Sequence, residues 1–302
     1  MLALRTYYNS YPGADKARSA SGRPATRDAQ HPESVVLNSN LYFDIHSSGF
    51  THLHFFRILY DMKKLSTRYF AHRGLHNSHT AAPENSLEAF RRAVNSGYGI
   101  ELDVQRTSDG HIVVFHDDTL TRVCGADKKP INMTLDEIRQ YRIYNSDQRI
   151  PLLSEVLELV DGKVPLLIEF KPKRIDNLLC ENAMKLLDNY EGEYCIESFN
   201  PFTLWWFKRN RPAVLRGQLV TDFIQYNDMV PMFLLVLLQT LAYNYFTRPD
   251  FISLDMHCKN WASYRLMTKN LTQFGWTFRS AAEIKAYEDK YDYFIFEQRF
   301  SS

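Results

Sequence analysis

Between residues 69 and 296, short runs of β-branched and other apolar residues alternate with stretches whose apolar residues recur at helical spacing. The apolar runs predict eight β-strands, at residues 69–72, 99–104, 164–171, 193–198, 214–219, 250–254, 273–278 and 293–296. This alternation is typical of repeated βα units around a parallel sheet, and eight units are the number in a (β/α)8 barrel. A ninth extended run, at residues 112–116, follows the Asp109–Gly110 turn and is predicted to belong to an insertion.

Helix start signals lie between the predicted strands. N-caps and capping boxes are predicted at Asn85 or Ser86, at Thr134 with Glu137, and at Ser280 with Glu283. These signals support helices in the order that repeated βα units require.

Residues 1–61 show no sustained periodicity and are predicted to form an irregular N-terminal extension. Met62 heads the sequence MKKLSTRYFAHRG, which is typical of a translation start, so the extension is interpreted as disordered or as an over-extended gene model. Residues 62–302 are then predicted to form the functional domain. Because residues 1–20 lack the apolar core of a secretory signal, we expect a cytoplasmic protein.

The bulk composition favours one domain that acts on small molecules. A single barrel needs roughly 250 residues, and the chain has 302, of which 45% are hydrophobic. With a net charge of +1 and a pI near 7.7, no global field of either sign would hold the protein on nucleic acid or on an anionic membrane. The cysteines are widely spaced, which is typical neither of a zinc knuckle nor of a dense disulfide framework.

One apolar stretch, residues 230–246, has some features of a membrane-associated segment. It is shorter than the about 20 residues of a membrane span, and it contains Pro231, Gln239 and Asn244. We therefore predict a buried or capping helix. The alternative is an interfacial helix that makes peripheral membrane contact, which lipid-derived substrates would favour.

Two of the predicted strands carry charged residues two positions apart. Glu101 and Asp103 share one face of GIELDV, and Glu169 and Lys171 share one face of LLIEFKPK. Barrel strands normally direct Val, Ile or Leu inward, so these charges indicate a site at the C-terminal mouth of a barrel. Three crowded carboxylates repel one another unless a cation joins them, and an all-oxygen set favours Ca2+ or Mg2+. The alternative is a set of surface salt bridges.

Two histidines and an arginine end extended runs. His72 and Arg73 close the first strand, where Gly74 allows a sharp turn, and His116 closes VVFH. Arginine is suited to bidentate phosphate binding, and histidine to proton transfer near neutral pH. Two histidines beside a bound phosphate could accept and donate the protons of a hydrolysis. Each histidine taken alone is equally consistent with a structural role.

Other polar residues give weaker signals. Glu84 could reach the metal from the first loop or cap the next helix. Asp117 and Asp118 are interpreted as turn or capping groups. The remaining histidines that we considered, interpreted as structural, are His76, His79 and His257.

The ordered set of motifs resembles the glycerophosphodiester phosphodiesterase family, from about Arg68 to the end of the chain. The motifs are HRG at 72–74, PENSLEAF at 83–90, IELDV at 100–104, TSDGHIVVFHDDTLTRVCG at 107–125 and LLIEFK at 166–171. ESFNP at 197–201, GWTFRS at 275–280 and YDYFIFE at 291–297 continue the series. Any one fragment is weak evidence, whereas the ordered set is highly specific.

This resemblance implies a (β/α)8 TIM barrel of the PLC-like phosphodiesterase superfamily, with a small insertion after the second strand. It implies that Glu101, Asp103 and Glu169 bind a divalent cation, that His72 and His116 are the catalytic acid and base, and that Arg73 and Lys171 bind the substrate phosphate. The implied reaction is metal-dependent hydrolysis of a glycerophosphodiester to sn-glycerol 3-phosphate and an alcohol, with water or the glycerol 2-hydroxyl as nucleophile. Arg279 stands where the family motif usually has Asn, which bears on substrate range.

Three alternative functions stay open at this point. The first is a lysophospholipase D-like activity on lysophospholipids, with residues 230–246 docking acyl chains. The second is a non-catalytic barrel that binds phosphodiesters, against which the complete set of site residues argues. The third is a barrel glycosidase, which would leave two histidines and two cations without a role.

Overall fold

The structure is a computed structural model that describes residues 65–77, 81–172, 175–222, 236, 238–258 and 262–297. The predicted N-terminal extension, residues 1–61, lies outside the described residues, as does His79. Residues 65–77 and the later described segments contribute to a sheet of parallel strands with helices between them.

The strands close into a barrel. In chain order they are β1 (Tyr69–Ala71), β2 (Gly99–Arg106), β3 (Ile112–Val114), β4 (Leu166–Phe170), β5 (Tyr194–Ser198), β6 (Arg216–Val220), β7 (Phe251–Asp255), β8 (Thr272–Phe278) and β9 (Tyr293–Phe296). Among the described residues, all of these except β3 pair in parallel with both neighbours, and β1 pairs with β2 and with β9. The prediction of an eight-stranded (β/α)8 barrel is therefore confirmed.

Helices follow most of the barrel strands. They are α1 (Leu87–Asn95), α2 (Thr121–Cys124), α3 (Leu135–Ile138), α4 (Leu153–Val160), α5 (Asn177–Leu187), α6 (Pro201–Asn210), α7 (Asn244–Thr247), α8 (Ala262–Thr268) and α9 (Ala281–Ala286). Ser86 caps α1, and the capping box at Thr134 forms as predicted. The second predicted box is incomplete: the Ser280 side chain accepts the backbone N–H of Glu283 at 3.1 Å, but the Glu283 carboxylate accepts the N–H of Arg279 at 2.7 Å.

The insertion after β2 has its own small core. β3 pairs antiparallel with β2, and Val104 lies opposite Val114. Eight buried side chains form this core: Val113, Phe115, Leu120, Val123, Met133, Ile138, Ile143 and Ile150. The backbone N–H of Phe115 donates to the Asp103 carbonyl at 2.9 Å, so the insertion is anchored where β2 reaches the mouth of the barrel. This attachment places His116 beside the mouth.

The inside of the barrel changes from apolar to charged along the strands. An apolar cluster from six different strands consists of Phe70, Leu167, Cys195, Phe251, Phe274, Tyr293 and Ile295. Because side chains two positions apart share a face, Glu169 follows Leu167 and Glu197 follows Cys195 on the same inner surface. The apolar cluster therefore forms a floor beneath the carboxylates at the C-terminal ends of the strands.

The apolar stretch 230–246 is described only at residue 236 and from residue 238 onward. In this described part the stretch is not one continuous helix, because Leu241 has a φ of 57° and α7 begins only at Asn244. Leu238 and Leu241 are buried, whereas Tyr245 and Phe246 are exposed. No helix of the described residues has the length and apolar character that crossing a membrane requires.

Candidate active site

Three carboxylates meet at the mouth of the barrel. Glu101 and Asp103 lie on β2 and Glu169 lies on β4, and the parallel pairing of the two strands sets Asp103 opposite Glu169. One oxygen of each residue lies within 4.8 Å of the others, and all three residues are buried. The structure thus brings together the carboxylates that the spacing on two strands pointed to.

A lysine partly balances this charge. Nζ of Lys171 lies 3.0 Å from Oδ1 of Asp103 and 2.8 Å from Oε1 of Glu169. Both oxygens are buried, and neither makes a well-aligned hydrogen bond within the described part of the chain. Lys171 thus contacts two of the three carboxylates, and the remaining buried lone pairs suit an oxygen-binding cation.

The protonation of the triad reflects its crowding. Burial, together with the nearby Asp103 and Glu169, raises the pKa of Glu101 well above its usual value. Burial also raises the pKa of Glu169 to about 7, although Lys171 opposes the shift. Burial acts in the same direction on Asp103, but Lys171, His116 and Arg73 outweigh it and hold the pKa of that carboxyl below its usual range. Carboxylates that retain protons in this way are those that a bound divalent cation would ionise.

The first loop directs Arg73 over the triad. Arg73 has a φ of 55° and its backbone N–H donates to Oε2 of Glu101 at 2.8 Å. Its guanidinium group donates from Nη1 to Oε1 of Glu84 at 2.8 Å, and its Nε lies 3.7 Å from Oδ2 of Asp103. Gly74 follows with a φ of 80°, and a Cβ there would come within 2.9 Å of the Ala89 side chain, so the predicted sharp turn requires glycine.

His72 is oriented from the far end of the chain. Its Nδ1 lies 3.0 Å from Oε1 of Glu297, so the Nδ1 proton donates to that carboxylate. Nε2 of His72 then faces the triad, 3.9 Å from Oε2 of Glu101. Burial would raise the pKa of Glu297, but the hydrogen bond from His72 and the charge of Arg73 keep it below its usual range.

His116 is held from the insertion. Its Nδ1 lies 2.7 Å from Oδ1 of Asp117. Nε2 of Gln105 fixes the surrounding backbone by donating to the carbonyls of Phe115 at 2.9 Å and Asp117 at 2.8 Å. Burial, with smaller contributions from Arg73 and Lys171, lowers the pKa of His116 to about 4. Asp117, interpreted from sequence as a turn or capping group, therefore also orients the imidazole ring.

Comparison with known proteins identifies the family. The model of the glycerophosphoryl diester phosphodiesterase family matches residues 72–290, which contain the carboxylate triad and both histidines. The chain belongs to this family. Membership makes the protein a phosphoric diester hydrolase, and it agrees with the resemblance carried by the sequence motifs.

Relatives of known name support the same assignment. A glycerophosphodiester phosphodiesterase of Caldanaerobacter subterraneus is 35% identical over 167 residues, which cover 51% of this chain and 67% of the relative. Another from Bacillus altitudinis is 32% identical over 176 residues, covering 54% of this chain and 70% of the relative.

Solved structures support the barrel fold. A phosphodiesterase of Oleispira antarctica, solved in complex with the product sn-glycerol-3-phosphate, has a TM-score of 0.64 and 22% identity, covering 76% of this chain and 92% of that one. A glycerophosphodiester phosphodiesterase of Thermotoga maritima has a TM-score of 0.58 and 22% identity, covering 76% and 94%.

In this member of the glycerophosphoryl diester phosphodiesterase family, an arginine that the sequence analysis missed joins the two sides of the site. Arg122 donates to both oxygens of Asp117, from Nε at 2.7 Å and from Nη2 at 2.8 Å. It also donates to both oxygens of Glu84 at 2.7 Å, and Glu84 in turn accepts from Arg73. His116 is thus connected through Asp117, Arg122 and Glu84 to Arg73.

Glu84 has neither of the two roles that the sequence suggested. Ser86 is the N-cap of α1, and Glu84 is not part of the group of carboxylates that could hold a metal ion. Its two arginine partners, Arg73 and Arg122, outweigh the effect of burial and hold its pKa well below the usual value. The only sequence signal for this network was Arg122 itself, in TLTRVCG, which lies outside every predicted strand.

Two further polar residues at the site were not predicted. Nδ2 of Asn85 donates to Oδ2 of Asp103 at 2.8 Å, which orients that carboxylate. Glu197 on β5 lies opposite Glu169 and accepts a hydrogen bond from the Ser253 hydroxyl. Burial raises the pKa of Glu197 to about 8. The motifs PEN and ESFN contained both residues, but neither spacing nor charge distinguished them.

Arg279 and the lesser histidines lie around this centre. Nε of Arg279 is 3.4 Å from Oε2 of Glu297, the carboxylate that orients His72. His76 is largely enclosed, and burial lowers its pKa to about 4. The backbone N–H of His257 donates to Oδ1 of Asp255 at 2.9 Å, which fits its interpretation as structural. Arg279 therefore contacts the site through Glu297.

Proposed function

We propose that this protein hydrolyses glycerophosphodiesters to sn-glycerol 3-phosphate and an alcohol, and that Glu101, Asp103 and Glu169 hold the divalent cation it requires. The observation that carries the proposal is the triad of buried carboxylates within 4.8 Å of one another, with His72 near Glu101 and His116 near enough to Asp103 to lower its pKa. An all-oxygen donor set without histidine or cysteine favours Ca2+ or Mg2+ over zinc. The names of the relatives and the glycerol phosphate bound in the Oleispira antarctica enzyme support the substrate class.

The residues around the triad divide the chemistry of phosphodiester hydrolysis. When bound, the cation would stabilise negative charge on the phosphoryl oxygens. Arg73 and Lys171 lie against the same carboxylates and would hold the phosphate by charge-assisted hydrogen bonds. His72 and His116 each have Nδ1 engaged by a carboxylate, which leaves Nε2 as the atom that accepts or donates a proton.

The two histidines are prepared for different steps. The pKa of His116, lowered to about 4 by burial, makes its ring neutral near pH 7 and suits it to accept a proton from the nucleophile. His72 is held at Nδ1 by Glu297 and directs Nε2 to the triad, where we assign it proton donation to the leaving alkoxide. We propose this division as the catalytic acid and base of the reaction.

We propose residues 62–302 as the catalytic domain. Every barrel strand and every proposed site residue lies between Tyr69 and Glu297. A protein that begins at Met62 should therefore keep the activity of the full chain.

The test is release of glycerol 3-phosphate from a panel of glycerophosphodiesters, with glycerophosphocholine and glycerophosphoethanolamine among them. We expect release in the presence of Ca2+ or Mg2+, loss of release with EDTA, and recovery when the metal is restored. Release that persists in metal-free protein would contradict the role of the triad. Release of choline from lysophosphatidylcholine, with no release of glycerol 3-phosphate from any member of the panel, would favour the lysophospholipase D-like alternative.

Arg122 should act as a positioning residue in this mechanism. Because it holds Asp117 and Glu84 together, its removal should misorient His116 and Arg73 without removing either. We expect Arg122→Ala to lower kcat about 10- to 100-fold, the range typical of residues that orient catalytic groups through hydrogen bonds, with KM nearly unchanged. Steady-state kinetics would measure both constants.

The control for this variant is Arg139→Ala, which removes another insertion arginine whose guanidinium pairs with Glu155 at 2.8 Å. It should leave kcat unchanged. Added guanidinium ion should partly restore the Arg122→Ala enzyme and have no effect on the control. An equal loss in both variants would mean that the insertion has lost stability and that Arg122 has no specific role.

A further inference from the structure

An exposed aromatic and cationic surface lies on the outside of the barrel, formed by α6 and α7. Its aromatic residues are exposed to an unusual degree: Phe202 50%, Trp205 44%, Tyr245 72% and Phe246 65%. Large apolar side chains that are grouped at the surface commonly mark an interaction site, whereas single exposed ones need no explanation. We call this the α6–α7 surface.

The residues of the α6–α7 surface are continuous. Phe202, Trp205 and Arg209 recur at helical spacing, and the Arg209 guanidinium lies 4.9 Å from the centre of the Trp205 ring. Lys208 donates from Nζ to the carbonyl of Phe246, which joins α6 to α7. The opposite side of α6 is buried against the barrel through residues such as Phe207. The exposed side therefore forms one surface along two helices.

The charge of the α6–α7 surface has one sign. No acidic residue occurs in residues 199–211 or in residues 238–249, although acidic and basic residues are nearly equal in number over the whole chain. The segments contain Lys208, Arg209, Arg211 and Arg248. Asp188, on the neighbouring α5 end, is already paired with Arg211 at 2.8 Å. The surface thus combines aromatic rings with excess positive charge.

We propose that the α6–α7 surface binds an anionic lipid bilayer. Aromatic side chains are favoured at the boundary between lipid headgroups and hydrocarbon, and flanking Lys and Arg are attracted to anionic headgroups. A second copy of the chain fits less well, because a symmetric contact would bring two positive surfaces together. Phe202 lies at the start of α6, directly after β5, so binding would bring the mouth of the barrel near the lipid.

This inference does not depend on the proposed hydrolysis, because binding is measured without turnover. The full chain would be sedimented with vesicles of phosphatidylcholine alone and with vesicles that also contain phosphatidylserine. We expect clear binding to the anionic vesicles, weak binding to the neutral ones, and weaker binding at high salt.

Two variants test the two components of the surface. The double variant Phe202→Ser/Trp205→Ser removes two aromatic rings that would enter the lipid headgroup region. The double variant Lys208→Glu/Arg209→Glu reverses the charge of the surface. Each pair should reduce the apparent affinity for anionic vesicles at least about tenfold. The variants should keep the circular dichroism spectrum and melting temperature of the wild type, which shows that they fold.

Matched controls are Leu266→Ser, an exposed apolar residue of α8, and Lys163→Glu, an exposed lysine between α4 and β4. Both should bind vesicles as the wild type does. The proposal would be overturned by wild-type protein that does not bind anionic vesicles, or by binding that the two surface variants leave unchanged. Light scattering would show whether the wild-type protein is a dimer. A dimer that is lost in the two surface variants but kept in the controls would assign the surface to a second copy of the chain and would also overturn the proposal.

Discussion

Replacing Glu169 with Gln should lower kcat by about 1,000-fold or more. The cation contributes several kcal/mol of charge stabilisation to the transition state, and each loss of about 1.4 kcal/mol is a factor of ten in rate. The amide preserves the shape of the side chain but removes the negative charge at the oxygen that lies 2.8 Å from Lys171. Steady-state kinetics would measure the rate, and calorimetric titration would measure the affinity for Ca2+ and Mg2+.

The control for metal affinity is Glu197→Gln. Glu197 is as deeply buried and lies opposite Glu169 on the next strand, but it is not part of the triad and is hydrogen-bonded by Ser253. We expect this variant to keep the wild-type affinity for the metal. A Glu169→Gln enzyme that binds metal and turns over substrate as the wild type does would show that the triad is not the metal site.

His116→Ala should lower kcat at least about 100-fold, which is the lower end of the contribution of one general acid or base. The side chain lies on the insertion and is not a metal ligand in our proposal, so the fold and the metal affinity should be retained. Circular dichroism and calorimetric titration would check these two properties alongside the kinetics. Near-normal turnover in this variant would remove His116 from the mechanism.

The matched control is His111→Ala. His111 belongs to the same insertion, but it is half exposed and its ring lies 4.0 Å from the Asp109 carboxylate, away from the triad. We expect wild-type kcat in this variant. If both histidine variants lost activity equally, the cause would be a disturbed insertion, and proton transfer by His116 would have no support.

The residues of the triad were predictable because their signal is local. Glu101 and Asp103 are two positions apart on one strand, and the strand alternation alone places them on one face. That Glu169 meets them followed from the rule that the carboxyl ends of barrel strands gather at one mouth. The pairing of Asp103 with Glu169 in the structure agrees with this reasoning.

The network around Arg122 was not predictable in the same way. Arg122 contacts Glu84, which is 38 residues away in the chain, and does so through an insertion whose path no local pattern describes. Glu84 had plausible local roles as a helix cap or a ligand. In the structure it has neither role and instead accepts hydrogen bonds from Arg73 and Arg122, and the second of these contacts is a property of the folded insertion.

The alternation of apolar and helical segments, and the polar residues at strand ends, were enough to specify the eight-stranded barrel and the residue types of its mouth. Both depend on periodicities of two and 3.6 residues that neighbouring positions carry. The orientation of the site depended on closure of the barrel, which sets Glu297 against His72 across 225 residues of chain. Such contacts form only when distant strands pair, so tertiary packing selected which carboxylates orient the histidines and which arginine joins Asp117 to Glu84.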